Sequence, residues 1–351
     1  MLKKLASLLL SALILTSCFA TSASAKENPS DGFGAYDHVF IIGVDGAGAA
    51  FSQTETPCFD SIFADGAVRH NCVTEDITIS AQNWGSILLG VSYDTHGLTN
   101  NICKTNERNT KEDSLGSVFR YTREQYPDAE LVSFNNWTAI NKGIIENDIG
   151  VTKINKDYDS LLTDTIVDYI NAGNKPTLMF VQLDDVDHAA HTYGGFSDSY
   201  YQAVRTADGY IGRIYNALAE NGLMENGLFI VVADHGETDD GHGGYTVEES
   251  SAVVAIKGKS VNNITLPEGT RNRDVAAIAL HALGVEAPDH MTAIVPYGLF
   301  GEEKEIDLTL TEPQKDEDVC EYCGITHSGF FDVIRGFFHK LSVSFSKLFG
   351  C

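Results

Sequence analysis

Acidic and histidine residues follow directly after three runs of apolar residues in this sequence. The runs lie at residues 38–44, 177–183 and 228–233. The polar residues that follow them include Asp45, Asp187, His191, Asp234, His235 and His242. Carboxylate and imidazole groups are good ligands for Zn²⁺ and similar divalent ions. Together the three clusters predict a divalent metal centre, although one cluster alone could be an acidic turn with surface histidines.

The apolar runs have the length and continuity of strands buried on both faces of a parallel sheet. Helix-like and strand-like segments alternate along the chain, which predicts an α/β fold with a mostly parallel central sheet and helices on both faces. Further predicted strands lie at 130–134 and 251–257, and predicted helices lie at 113–126, 157–172, 197–221 and 273–283. Ligands bind at the carboxyl edge of such sheets. The three clusters are therefore expected to meet at that edge.

In two of these clusters, the neighbouring residues indicate how the side chains are placed. Asp187 and His191 are four residues apart, so a helical turn would place both side chains on one face. Asp45 is followed by glycines and could instead cap the next helix. Both interpretations stay open at this point.

Ser80 opens a segment that is typical of a loop leading into a short helix, at residues 79–90, with an exit turn at 93–97. A serine at a helix N-terminus lies beside unpaired backbone N–H groups and the positive end of the dipole, which favour an anion. The alternative is that Ser80 is a plain N-cap, the commoner role of serine there.

The charge balance is strongly acidic. The 351 residues include 24 Lys plus Arg and 49 Asp plus Glu, for a formal charge of -25. This charge argues against a basic groove for sequence-specific nucleic-acid binding. An anionic substrate would need local positive charge, which bound metal ions can supply.

Residues 1–25 have the pattern of a signal peptide, with a basic start and an apolar stretch at 5–15 that is too short to span a membrane comfortably. Processing is expected either at Cys18, as in a lipoprotein, or after Ala25. The protein is therefore predicted to be secreted or anchored to the outer face of a bacterial cytoplasmic membrane. If Cys18 carries lipid, six cysteines remain, a number that permits disulfides without establishing them.

The remaining segments outside the predicted α/β domain are a linker at 26–36, an acidic linker at 301–319 and a tail at 320–351. The tail begins with Cys320, Cys323 and His327, which have half the spacing of a zinc ribbon and fit a local disulfide at least as well. Apolar residues recur every three or four positions from Phe330, with basic residues largely off that stripe. This stripe predicts a helix that contacts an anionic membrane surface, packs on the catalytic domain or self-associates.

The ordered motifs resemble the alkaline phosphatase superfamily, and within it the type I phosphodiesterase/nucleotide pyrophosphatase branch. The resemblance covers residues 37–297, within a catalytic domain predicted at 37–300. It rests on Asp45-Gly46, Ser80-Ala81-Gln82-Asn83, Thr95-His96-Gly97, Asp187-x-x-x-His191, Asp234-His235-Gly236 and Gly241-His242-Gly243.

The resemblance implies two Zn²⁺ ions, or other divalent ions, bridged by the phosphate of a small phosphorylated substrate. One ion would be held by Asp45, Ser80, Asp234 and His235, and the other by Asp187, His191 and His242. It also implies that Ser80 is the nucleophile of a covalent phosphoseryl intermediate. Asn83 would donate a hydrogen bond to a phosphoryl oxygen.

Departures from the family pattern bear on the substrate. Ser80 replaces a usual threonine, Gln82 replaces a usual proline, and no arginine follows Ser80 before Arg108. Alkaline phosphatases proper use an arginine to grip the extra charge of a monoester. The sequence therefore favours diesters or nucleotide pyrophosphates, while phosphomonoesters and phosphotransfer stay open. Sulfatases are disfavoured because their Cys/Ser-x-Pro-x-Arg motif is absent.

A hypothesis of another class is an exported protein that binds metal without catalysis, for example a structural Ca²⁺ protein. Calcium prefers ligand sets made only of oxygen. His191, His235 and His242 count against it. The oligomeric state is not indicated by the sequence.

Overall fold

The computed structural model describes residues 31–111 and 114–301. One seven-stranded sheet lies at its centre, in the order β2-β7-β6-β1-β5-β3-β4. The strands are β1 (His38–Val44), β2 (Ala67–Val73), β3 (Leu131–Asn135), β4 (Thr152–Asn155), β5 (Leu178–Leu183), β6 (Gly227–Ala233) and β7 (Ser251–Lys257). Only β7 runs opposite to the other described strands. The predicted mostly parallel α/β sheet is confirmed.

Helices cover both faces of this sheet. The helices are α1 (Pro57–Ile62), α2 (Ser80–Leu89), α3 (Tyr93–His96), α4 (Asn100–Thr105), α5 (Val118–Gln125), α6 (Thr138–Gly143), α7 (Asp159–Asn171), α8 (Asp185–Tyr193), α9 (Asp198–Glu220) and α10 (Asp274–Leu283). Alternate residues of β1 point to opposite faces: Val39 and Ile41 pack in the core with α2 and α10, whereas Phe40 and Ile42 pack with α7 and α9. Burial on both faces explains the unbroken apolar runs.

The predicted element boundaries agree closely with the structure except in one helix. That helix was expected at 113–126, but α5 begins only at Val118 because Ser117 caps it, its hydroxyl accepting from the N–H of Arg120. Strands β2 and β4 were not predicted from the sequence. Both lie at sheet edges and are only partly buried, so they lack a continuous apolar run.

Several predictions concern parts of the chain outside the described residues. These are the signal peptide with Cys18, most of the acidic linker, the Cys320–Cys323–His327 motif and the amphipathic tail. Their roles in export and membrane contact stay predictions. None of the helices in the described part of the chain is long and apolar enough to span a membrane.

Three cysteines lie in the described residues, and each is a free thiol: Cys58, Cys72 and Cys103. Burial raises the pKa of both Cys72 and Cys103 to about 12. Because the thiolate is the reactive form, these two buried thiols are inert at neutral pH.

Candidate metal centre

The acidic clusters meet at the carboxyl edge of the three central parallel strands. Val44, the last residue of β1, pairs with Leu183 of β5 on one side and with Ala233 of β6 on the other. The next residue of each strand is therefore an aspartate: Asp45, Asp184 and Asp234. Strand register thus assembles the centre from segments far apart in the chain.

The first ligand set consists of Asp45, Asp234 and His235, all buried. His235 Nε2 lies 3.5 Å from Asp45 Oδ1 and 3.3 Å from Asp234 Oδ2. None of these three atoms has a hydrogen-bond partner among the described residues. Buried polar atoms are nearly always paired, so three facing each other indicate the place of a cation.

The other carboxylate oxygen of each aspartate fixes its orientation. Asp45 Oδ2 accepts hydrogen bonds from Trp84 Nε1 at 2.8 Å and Gln182 Nε2 at 2.9 Å. Asp234 Oδ1 accepts from the backbone N–H of Gly46 at 3.1 Å. Each aspartate therefore uses one oxygen for positioning and presents the other to the ligand set.

Electrostatics favour a cation in the first set. Burial raises the pKa of Asp45 well above its usual range, and the charges of Asp234 and Asp187 raise it further. Burial also raises the pKa of Asp234 and lowers that of His235 well below its usual value. A neutral imidazole beside two crowded carboxylates is a donor set that fits a divalent ion.

The second ligand set consists of Asp187, His191 and His242. His242 Nε2 lies 3.4 Å from Asp187 Oδ1, and His191 Nε2 lies 3.4 Å from Asp187 Oδ2. The two Nε2 atoms are 3.2 Å apart. Asp187 and His191 share one face of α8, as their spacing predicts. Two imidazole nitrogens converging on one carboxylate also fit a divalent ion.

The two ligand sets are in contact through His235 and His242, and His242 is oriented for ligation. The rings of His235 and His242 stack with centroids 3.9 Å apart. His242 Nδ1 donates to the carbonyl of Thr78 at 2.5 Å, which leaves Nε2 as the nitrogen with a free lone pair. The structure thus brings all six predicted Asp and His ligands together. Their roles as metal ligands stay predictions.

Ser80 is the first residue of α2 and lies between two anchors of this centre. Two residues before it, Thr78 accepts from His242 and its hydroxyl accepts from the N–H of Gly243 at 2.9 Å. One turn after it, Trp84 donates to Asp45. Ile79, rather than Ser80, occupies the N-cap position. The hydroxyl of Ser80 makes no hydrogen bond to another described residue, so it is available for chemistry.

Asn83 holds the loop that precedes Ser80. Its Nδ2 donates to the carbonyls of Ile77 and Ile79, at 3.0 and 3.2 Å. Its Oδ1 accepts from the N–H of Glu75 at 2.9 Å and from Asn272 Nδ2 at 3.2 Å. A hydrogen bond from Asn83 to a phosphoryl oxygen would require one of these bonds to break. Its predicted phosphate contact stays a prediction, and the geometry shows a positioning residue.

Two buried carboxylates were not selected from the sequence. Glu237 lies beside the second set, with a pKa that burial and the charge of Asp187 raise to about 10. Asp159, the first residue of α7, accepts from the N–H groups of Asp184 at 3.0 Å and Asp185 at 2.8 Å. It therefore anchors the start of α8, the helix that carries Asp187. The sequence carries only weak signals for these two residues. Glu237 directly follows the Asp234-His235-Gly236 motif, and Asp159 lies near the start of a predicted helix.

Asp159→Asn is expected to weaken binding of the second ion by about 10- to 100-fold while leaving the first ion in place, because the amide has one acceptor oxygen where the carboxylate uses two. Metal titration of each variant against a chromophoric chelator measures this. Asp168→Asn, an exposed position on the same helix, is the control. If Asp159→Asn bound the second ion as tightly as the unchanged protein does, the anchoring role would be contradicted.

Comparison with known proteins assigns the chain to a family. The sequence profile of the type I phosphodiesterase/nucleotide pyrophosphatase family matches residues 39–296. The chain belongs to this family. The match begins in β1 and ends after α10, so it contains every strand and every candidate ligand described above.

One curated relative is similar to part of the chain. A 2,3-bisphosphoglycerate-independent phosphoglycerate mutase of Natronomonas pharaonis is 28% identical over 137 residues, which are 37% of this chain and 26% of that protein. The chain thus spans about a quarter of the length of the curated relatives it matches.

Two solved structures show the same fold. Murine ectonucleotide pyrophosphatase/phosphodiesterase 5 has a TM-score of 0.58 at 13% identity, covering 72% of this chain and 96% of that one. A lipoteichoic acid synthase from Listeria monocytogenes has a TM-score of 0.56 at 15% identity, covering 79% of this chain and 78% of that one. At these identities the likeness concerns architecture alone.

Proposed function

We propose that the protein is an exported two-zinc hydrolase of phosphate esters, with phosphodiesters or nucleotide pyrophosphates preferred, that acts through a phosphoseryl intermediate at Ser80. The observation that carries this proposal is the pair of adjoining ligand sets beside the start of α2. They share the stacked rings of His235 and His242. Family membership supports the same reaction class.

The chain's own residues suit an in-line displacement. Bound Zn²⁺ would supply positive charge to the phosphoryl group and lower the pKa of the oxygen nucleophile. Ser80 Oγ forms a bond to phosphorus while the bond from phosphorus to the leaving oxygen breaks, and the leaving oxygen keeps the electron pair. Water then displaces Ser80 from phosphorus, which releases the phosphate product and restores the hydroxyl.

The first turn of α2 and the loop before it orient this nucleophile. N–H groups at a helix start favour the anionic phosphoryl group. The N–H of Ala81 is not one of the unpaired groups, because it donates to Asn100 Oδ1 at 2.9 Å. Asn83 and Thr78 hold the loop through the contacts described above, so Ser80 is presented on a rigid turn. Preorganisation of this kind lowers the cost of reaching the reactive geometry.

The contacts of two arginines bear on the preference for diesters. Arg108, the first arginine after Ser80, donates to the carbonyl of Ile144 at 2.7 Å and pairs with Glu146 at 3.5 Å. Arg273 pairs with Glu75 at 3.0 Å. Arg108 is therefore held by protein partners and offers no grip for the extra charge of a monoester. Arg273 Nε has no hydrogen-bond partner among the described residues.

Phosphotransfer is a second candidate function. The curated relatives carry the name of a mutase, and the phosphoserine proposed here could pass its phosphoryl group to a hydroxyl acceptor instead of water. Phosphomonoester hydrolysis is a third outcome of the same chemistry.

A substrate screen tests these proposals. Purified protein is assayed with bis-p-nitrophenyl phosphate, p-nitrophenyl phosphate and a p-nitrophenyl nucleotide ester, each with and without glycerol as acceptor, before and after chelation. Diester cleavage that chelation abolishes and zinc restores supports the proposal. Faster monoester cleavage or transfer to glycerol would favour the alternatives, and no turnover in any assay would favour the non-enzymatic metal-binding protein.

Export is also a proposal, supported by the signal-like residues 1–25. In the native bacterium the mature chain is expected to begin at a lipid-modified Cys18 or directly after Ala25. Mass spectrometry of the N-terminal peptide from membrane and extracellular fractions checks this. Recovery of only unprocessed chain from the cytoplasm would contradict export.

A further inference from the structure

Glu237 is buried beside the candidate metal centre. Its residue is 1% exposed, and neither carboxylate oxygen has a hydrogen-bond partner among the described residues. A buried carboxylate without compensation is strongly unfavourable. The side chain therefore needs a cation or a proton donor that the described protein groups do not provide.

The backbone before Glu237 leaves its side chain little freedom of direction. The N–H of Gly236 donates to the carbonyl of Glu249 at 2.8 Å. A Cβ atom at Gly236 would lie only 2.1 Å from the carbonyl oxygen of Glu248, so a glycine is required for this close approach. The packed turn thus directs Glu237 toward the ligands.

The surroundings of Glu237 are those of the second ligand set. Its Oε1 lies 3.9 Å from His235 Nδ1, too far for a hydrogen bond, and that nitrogen already contacts the carbonyl of Gly236 at 3.1 Å. Ligand atoms of Asp187, His235, Glu237 and His242 all lie within 4.8 Å of one another. One ion among them could be reached by both carboxylates.

We propose that Glu237 is a further ligand of the second divalent ion, alongside Asp187 and His242. This inference rests on the proposed function, because it requires that the ion binds. Two carboxylates and neutral imidazoles balance the double charge of the ion, whereas Asp187 alone would leave an excess positive charge in a half-buried place. The extra oxygen also raises the number of available protein ligands above three.

The test compares metal binding by the full chain as Glu237→Gln and as Glu248→Gln. Glu248 lines the same 220 Å³ cavity as Glu237 but is exposed, so its variant makes the same chemical change without touching the ligand set. Zinc per chain is measured by mass spectrometry after dialysis, and each affinity is measured by titration against a chromophoric chelator. Thermal unfolding is recorded with and without zinc.

Glu237→Gln is expected to bind the first ion as the unchanged protein does and the second at least about tenfold more weakly. The stabilisation of the fold by zinc should shrink accordingly. Glu248→Gln should keep both affinities. Glu237→Ala, measured in the same way, should show the same selective loss and serves if the glutamine variant folds poorly.

Wild-type affinity for both ions in Glu237→Gln or Glu237→Ala would overturn the inference. Equal loss of stability with and without zinc, at unchanged affinities, would also overturn it, because it would show a purely structural role. If the unchanged protein binds no divalent ion, the proposed function fails as well. The two failures are therefore distinguishable.

Discussion

Ser80→Ala is expected to lower turnover of every accepted phosphate ester by at least about 10⁴-fold, because removal of a nucleophile eliminates the covalent pathway. The fold and both ions should remain, since the hydroxyl would be only one proposed ligand among several and makes no hydrogen bond to another described residue. The measurements are steady-state hydrolysis, zinc per chain and circular dichroism. Trapping of a phosphorylated Ser80 peptide from the unchanged protein gives independent support.

Ser92→Ala is the control for this experiment. Ser92 precedes α3, and its hydroxyl makes a hydrogen bond with that of Thr95 at 3.1 Å. Its removal should leave turnover close to that of the unchanged protein. A Ser80→Ala variant with an unchanged rate on all substrates would show that another group is the nucleophile.

Substitution of the ligands is expected to separate the two ions. Asp234→Ala should lose the first ion, whereas Asp187→Ala and His242→Ala should lose the second, each by at least about 100-fold in affinity. A direct ligand should cost at least as much as the outer contacts, which are worth about 10- to 100-fold. Zinc per chain after dialysis should then be close to one in all three variants, and turnover should be lost.

Asp240→Asn is the matched control, since Asp240 is an exposed carboxylate in the same loop as His242. This variant should keep both ions. Equal loss of both ions in Asp234→Ala, Asp187→Ala and His242→Ala would indicate one shared site in place of two.

The sequence by itself determined the central strands of the sheet and the residues that gather at their ends. Strands β1, β5 and β6 are buried on both faces, so their residues are mostly apolar, and an aspartate directly follows each strand. The grouping of the predicted ligands at one edge followed because the carboxyl ends of parallel strands lie together. The sequence also predicted that Asp187 and His191 lie on one helix face, because residues four apart lie on the same side of a helix.

Tertiary structure decided which polar groups support those ligands. Asp159 anchors α8 across 25 residues of chain, and Asn272 reaches Asn83 and the carbonyl of Asp234 from a distant loop. Such contacts leave no periodicity in the sequence, because they depend on how separate elements pack. The same holds for the edge strands β2 and β4, whose weak patterns become strands only by pairing with β7 and β3. Glu237 stands beside the ligand motif in the sequence, yet only the packed turn at Gly236 decides that its carboxylate faces Asp187 and His242, since direction depends on the surrounding backbone.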